Sequence, residues 1–268
     1  MLQRAALALV LLLSLSAAID LESPERNGVR EGDTVDLGTI GPGQTVELLI
    51  DRRVTEGGIY GEGGFYDQVR VQGLPAGWTA EDSKLYQDPL RVTITADPDS
   101  PEGEYTALVT VMDEGDGEEL GNVTFKVKMR ITWDVLDFDV SPAYLDVGPG
   151  QPARFAITIR NKASTSDVFT VSSIGAKRWE FIKPVFVPAH SSKTIYYEIV
   201  GGEEEAYKAT IRVQSQASEN IADERNVTLF IHSGLLGDYR ATNNGVAVFP
   251  VFEGIIYSLA GLLSNVFK

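Results

Sequence analysis

The chain has 268 residues, with two histidines and no cysteine, which bounds its chemistry at once. Disulfides, thiolate nucleophiles and cysteine-held zinc or iron–sulfur centres are excluded. His190 and His232 each stand alone at a loop or strand end, without the neighbouring ligands that a metal site needs, so no metal is expected. The acidic stretch Asp113 to Glu119 (DEGDGEE) superficially resembles a calcium loop. It fails the spacing, because glycine falls where the EF-hand pattern needs oxygen ligands, and it reads as a solvated hairpin tip. Glu203, Glu204 and Glu205 form a run that faces water. The turns Gly41-Pro42-Gly43-Gln44 and Gly148-Pro149-Gly150-Gln151 lack the following lysine and helix of a phosphate loop. Nothing gathers a nucleophile with a base, or a working pair of carboxylates. No catalytic residue, cofactor or metal is assigned, and the expectation is a protein that is not an enzyme.

What those residues sit on is a duplicated scaffold. Leu37 to Arg53 (LGTIGPGQTVELLIDRR) returns as Leu145 to Asn161 (LDVGPGQPARFAITIRN), in each case a Gly-Pro-Gly-Gln turn followed by an alternating apolar run. Further landmarks recur in order: Asp67 to Val71 and Asp167 to Val171, Trp78 and Trp179, Leu90 to Thr95 and Lys193 to Val200. Tyr105 matches Tyr207, and Asn122 to Val127 matches Asn226 to Ile231. Period-two alternation, turn clusters such as Asp97 to Gly103, and no long helical period between them predict antiparallel β-sandwiches. Trp78 is expected between two sheets. Gly103 two residues before Tyr105 and Ala107 two after it match a tyrosine corner, which makes Tyr105 structural. The fold class expected is all-β: two tandem Ig-like antiparallel β-sandwiches plus a C-terminal hydrophobic or amphipathic helix. The boundaries expected are a signal peptide at 1–18, sandwiches at 34–133 and 142–232, a linker at 233–245 and a membrane-associated helix at 246–268. Asp20 to Asp33, polar with a proline, reads as a short mobile lead-in.

The Pro-Gly-Gln turn before a strand, Asn161 to Ser164 (NKAS) after it, Val187 to Ser192 (VPAHSS) and the Tyr207 strand together carry a resemblance. The chain resembles, over Val35 to His232, the Ig-like repeats of archaeal and bacterial cell-surface and membrane proteins of the cell-adhesion-related or NPCBM-associated type. The resemblance implies a non-enzymatic spacer or docking module on an extracytoplasmic surface. The first repeat departs from it over Asp51 to Tyr66, where Gly57, Gly58, Gly61, Gly63 and Gly64 crowd an insertion. Its aromatics Tyr60, Phe65 and Tyr66 either form a recognition loop or tuck onto the sandwich.

Both termini carry addresses. Met1 to Ala18 has one early cation, Arg4, an apolar core from Ala5 to about Leu15, and small residues at Ser16, Ala17 and Ala18, the layout of a secretory signal. The alternative is an uncleaved anchor, for which the apolar core is short of the roughly 20 residues needed to span. Asn122-Val-Thr124 and Asn226-Val-Thr228 are glycosylation sequons usable on the outer side. From Phe252 onward the period becomes helical: Phe252, Ile255, Ile256, Leu259, Leu262, Leu263, Val266 and Phe267 share one arc. Gly254, Ser258 and Gly261 supply a small-residue packing stripe. This segment reads as a transmembrane helix, as a helix in the interface or a partner's groove, or as a helix packed on its own sandwich.

The formal charge of −15 disfavours nucleic acid and anionic lipid as partners. The expectation is therefore a secreted, membrane-associated structural or interaction subunit of the cell envelope or of a membrane complex. Its partner is the membrane or a membrane protein met through the C-terminal helix, and a homo-oligomer fits the same reading. The alternative is a glycan-binding or adhesion module, for which Trp78, Tyr60, Phe65 and Tyr66 would form the platform.

Overall fold

A computed structural model describes residues 18–58, 61–114, 120–176 and 178–232. The expected secretory signal and C-terminal helix, Tyr60, and most of the acidic hairpin tip lie outside the described residues.

The first repeat contributes β1 (Ile19–Ser23), β2 (Asn27–Val29), β3 (Thr34–Ile40), β4 (Thr45–Ile50), β5 (Arg53–Val54), β6 (Gly64–Phe65), β7 (Gln68–Gln72), β8 (Thr79–Glu81), β9 (Leu90–Thr95), β10 (Gly103–Met112) and β11 (Val123–Ile131). One sheet runs β2-β1-β4-β9-β8 and the other β3-β11-β10-β7. With β3 parallel to β11 and the remaining pairs antiparallel, this is the immunoglobulin-type order, A-B-E-D facing G-F-C, with β3 as the extra strand beside G. Alternation decides the inward face: Val46, Leu48 and Ile50 of β4 meet Val109 and Val111 of β10 and Phe125 and Val127 of β11 in one core.

The second repeat contributes β12 (Leu136–Ser141), β13 (Tyr144–Val147), β14 (Pro152–Asn161), β15 (Asp167–Ile174), β16 (Ile182–Val187), β17 (Ser192–Val200), β18 (Glu205–Ser215) and β19 (Ala222–Ile231). Its sheets run β12-β14-β17 and β13-β19-β18-β15-β16. The strand after β15 thus switches sheets relative to the first copy: β8 pairs with β9, whereas β16 pairs with β15. A second core is built around Phe155, Ile157, Phe169 and Ile211.

The lead-in is ordered, contrary to its polar composition. Leu21 pairs with Ile50, and Ile19, Leu21 and Val29 are buried in the first core. Three spaced apolar side chains add an edge to a sheet whatever the polar residues between them do. The insertion after β4 also has structure: Arg53 pairs with Phe65 and Val54 with Gly64, making a two-stranded ribbon.

Candidate functional site: the junction and the two ends

The Gly-Pro-Gly-Gln turn of the first repeat docks on the second. Gln44 donates its side-chain amide to Asp167 at 2.7 Å, and its own Oε1 accepts from Gly41 N at 2.7 Å. Ser215 Oγ donates to the same Asp167 oxygen at 2.7 Å, and all three residues are buried. Backbone bonds add to this: Ser164 N donates to Thr39 O, Ser164 Oγ accepts from Thr39 N, and Thr165 Oγ1 donates to Thr45 O. A small apolar cluster of Val135, Ala163 and Ile221 lies beneath. Gly43 has φ of 74°, and a Cβ there would stand 2.2 Å from Ala217 O; one on Gly41 would meet Ile221 at 2.6 Å. Only glycine lets the two backbones approach this closely.

The second copy of the turn sits at the opposite end of its sandwich, where Gly150 N donates to Gly201 O and a Cβ on Gly150 would meet nothing within 4 Å. Strand direction orders the molecule. β14 runs from this end to the junction, and β19 runs back to it, so the chain leaves the second sandwich at the end farthest from the first.

At the far tip of the first repeat, Asp67 stands where Asp167 stands in the second. Its partner is Arg52, 3.6 Å away, whose guanidinium also donates to Tyr66 O at 3.1 Å and Tyr86 O at 3.4 Å. The same guanidinium lies over the rings of Phe65 and Tyr86, at 5.2 and 5.8 Å from their centroids. Phe65, Leu85 and Tyr86 are exposed. Tyr86 holds a φ of 60° while donating its backbone N–H to Asp67 O.

The expected recognition loop therefore divides. Phe65 faces solvent, but Tyr66 is fully buried, and its hydroxyl finds no hydrogen-bond partner among the described residues. Burial, then the nearby Asp113 carboxylate, pushes that phenol's pKa up. Trp78 is buried too, its indole donating to Ser100 Oγ at 2.9 Å, so neither ring offers a sugar a surface. Tyr86 and Arg52 belong to the tip although periodicity did not single them out; a lone tyrosine between Leu85 and Gln87 gives no pattern to find. Tyr105 donates its hydroxyl to Pro101 O at 2.9 Å, the geometry of a tyrosine corner. Asn122 and Asn226 are both exposed, and Asn226 accepts from Thr210 Oγ1 at 2.9 Å. The described residues hold no cluster of three or more metal-ligating side chains, and none of their helices is long and apolar enough to cross a membrane.

At the chain-exit end lies an open cleft of about 570 Å³ lined by Gly175, Arg178, Trp179, Gly202, Glu203, Glu205 and Tyr207. Trp179 and Tyr207 meet nearly at right angles, with ring centroids 5.2 Å apart. The Tyr207 phenol is raised above its ordinary pKa, first by its hydrogen bond to the Glu205 carboxylate and then by desolvation.

No family model matches the chain, and no curated protein does. Among solved structures, a chimeric titin Z1Z2 is 10% identical with a TM-score of 0.35, over 82% of this chain and 99% of that one. The CARDB domain of a Pyrococcus furiosus protein is 13% identical with a TM-score of 0.29, over 38% and 92% respectively. A C. elegans member of the MSP family is 16% identical with a TM-score of 0.26, over 35% and 97%. The assignment of the fold rests on the strand order itself.

Proposed function

We propose that the protein is a non-enzymatic, extracytoplasmic spacer, held to a membrane or a membrane protein through residues 246–268, that presents the tip of its first sandwich to a partner. The observation that carries this reading is the junction. A buried carboxylate shared by Gln44 and Ser215, with glycines that let the backbones touch, suits two sandwiches that must keep one orientation. Independent domains on a flexible linker would have no use for it. A stiff stack also gives meaning to its ends. The last described strand ends at one, while the exposed Phe65, Tyr86 and Leu85 lie at the other, the two rings stacked on Arg52, and aromatic residues and arginine are enriched at interaction hot spots.

The reading is tested by membrane fractionation of the full chain against one lacking residues 249–268. The full chain is expected in the membrane pellet and the shortened one in the soluble fraction. An unchanged distribution would remove the attachment from the proposal.

A further inference from the structure

The two repeats differ at the loop that joins β9 to β10 and β17 to β18. In the first repeat this loop runs from Ala96 to Glu102; in the second it is only Gly201 to Glu204, three residues shorter. The long loop closes the corner beneath it. Ser100 accepts the Trp78 indole N–H, and Asp97 lies so close over Gly77 that a Cβ there would stand 1.8 Å from its carboxylate. Trp78 and Tyr105 are then packed at 37° under a lid.

The short loop leaves the same corner open. Ser100 and Asp97 have no counterparts, Arg178 takes the place of Gly77, and Glu205 takes that of Gly103. Trp179 makes the same turn as Trp78, its N–H donating to Ala176 O as that of Trp78 does to Pro75 O. The cleft thus lies where the first copy has a covering loop, in a corner whose next strand also joins the other sheet.

The lining selects a ligand class. Trp179 and Tyr207, set edge to face at 85°, both line the cleft, so aromatic surface and charged groups share one space. Glu203 and Glu205 bring two negative charges to the same space, and Arg178 one positive charge. Aromatic faces together with carboxylates are the recognised surroundings of alkylated ammonium groups. From this geometry we infer that the Trp179–Tyr207 cleft binds a compact zwitterion, its ammonium group in the aromatic corner beside Glu203 and Glu205 and its anionic group toward Arg178. Betaine and phosphocholine have this chemistry, as do the headgroups of zwitterionic lipids. The site requires no membrane attachment, since a free solute reads it whether or not residues 249–268 hold the chain to a bilayer.

The test is a titration of the full chain, followed by tryptophan fluorescence, with betaine, phosphocholine, glucose and N-acetylglucosamine. Betaine and phosphocholine are expected to change the emission saturably and the neutral sugars not to. E203Q, an exposed change, and E203Q/E205Q, which also alters the partner of the Tyr207 hydroxyl, are expected to weaken binding, the double change at least tenfold, and W179F to abolish the signal while calorimetry still detects the ligand. Equal or stronger binding of the sugars, no binding of either zwitterion, or full affinity in E203Q/E205Q would overturn the inference. Phosphatidylcholine vesicles distinguish the source. A vesicle signal that free phosphocholine competes away supports a lipid headgroup, and a signal from the free compounds alone supports a solute.

Discussion

Gln44 reaches across the junction to donate its amide to Asp167, a carboxylate that also accepts from Ser215 Oγ and from Val168 N at 2.6 Å. One oxygen of Asp167 is thus shared between the two sandwiches. Replacing Gln44 by Ala leaves that buried carboxylate one donor short. Hydrogen bonds to a charged group contribute about 1.5–3 kcal/mol, and the loss falls on the contact between sandwiches. In calorimetry, Gln44→Ala is expected to split a single melting transition into two, with the separate cores otherwise intact. A single transition at the native temperature would show that the junction carries no coupling.

The duplicated turn supplies its own control. Gly43→Ala must place a Cβ against Ala217 O at 2.2 Å, in addition to adopting a φ of 74°. Gly150→Ala faces the same φ of 74° and no neighbour. The left-handed backbone alone costs an alanine about 1–2 kcal/mol. Urea midpoints should therefore fall modestly for Gly150→Ala and further for Gly43→Ala. Only Gly43→Ala should also broaden the particle's dimensions in small-angle scattering.

The repeat, the alternation and the corner tyrosines were legible because each is a local pattern that one face of a sheet imposes. The use of the Gly-Pro-Gly-Gln turn was not. Gly43 and Gly150 are alike in sequence, and what separates them is whether Ala217 of another domain lies overhead. Tyr66 shows a related limit: glycines around three aromatics leave open whether the rings face solvent or tuck onto the sandwich, and the two neighbours divide, Tyr66 joining the core and Phe65 pointing out. The lead-in misled because Ile19, Leu21 and Val29 are few and diluted by charge, and only the pairing of β2 with β1 and of β1 with β4 gives them weight. The cleft was visible as two matched tryptophan–tyrosine pairs, but its opening follows from a loop length whose meaning appears only in three dimensions.

Tyr66 gives a prediction of opposite sign to the usual core substitution. Its hydroxyl is buried without a hydrogen-bond partner among the described residues, so deleting the oxygen removes a desolvated polar group and little packing. Tyr66→Phe is expected to leave the unfolding midpoint unchanged or raise stability by up to about 1 kcal/mol. A loss of more than that would mean that the hydroxyl is held by a group in the neighbouring hairpin.

Acid should loosen the connector before it unfolds either core. Glu102 Oε1 accepts from Thr132 Oγ1 at 2.7 Å and from Trp133 N at 3.0 Å, fastening the stretch that leads into the second sandwich. Those bonds, the one from Thr132 first, lower its pKa below the ordinary 4.5. A carboxylate lowered in the folded state stabilises it fully above 4.5, and that contribution disappears as pH falls through the lower folded value. Protection of the Trp133 amide, taken as its exchange rate relative to the unprotected rate at the same pH, is expected to fall as the pH drops below 4.5 in the native chain, and to be low and nearly independent of pH in Glu102→Ala.

Arg52 shows how the stack is closed at its far end. At the junction, the aspartate at the head of the second sandwich is met by Gln44 from the first; at the head of the first sandwich, the matching Asp67 is met by Arg52 of the same sandwich. The insertion that brings Arg52 there also carries Phe65, and the guanidinium fixes Phe65 and Tyr86 by stacking and by its bonds to the carbonyls of Tyr66 and Tyr86. Arg52→Ala should therefore cost about 2 kcal/mol, since it strips a largely buried carboxylate of its charged partner, and should free both rings. Arg52→Lys keeps the charge but loses the planar fork and recovers only part of the loss. Phe65→Ala, an exposed truncation, should stay within about 0.5 kcal/mol of native stability. Measured together by urea unfolding and by NMR linewidths of the Tyr86 ring, the three separate anchoring from display. If Phe65→Ala destabilised the tip as much as Arg52→Ala, the aromatic pair would be structural and unavailable to a partner.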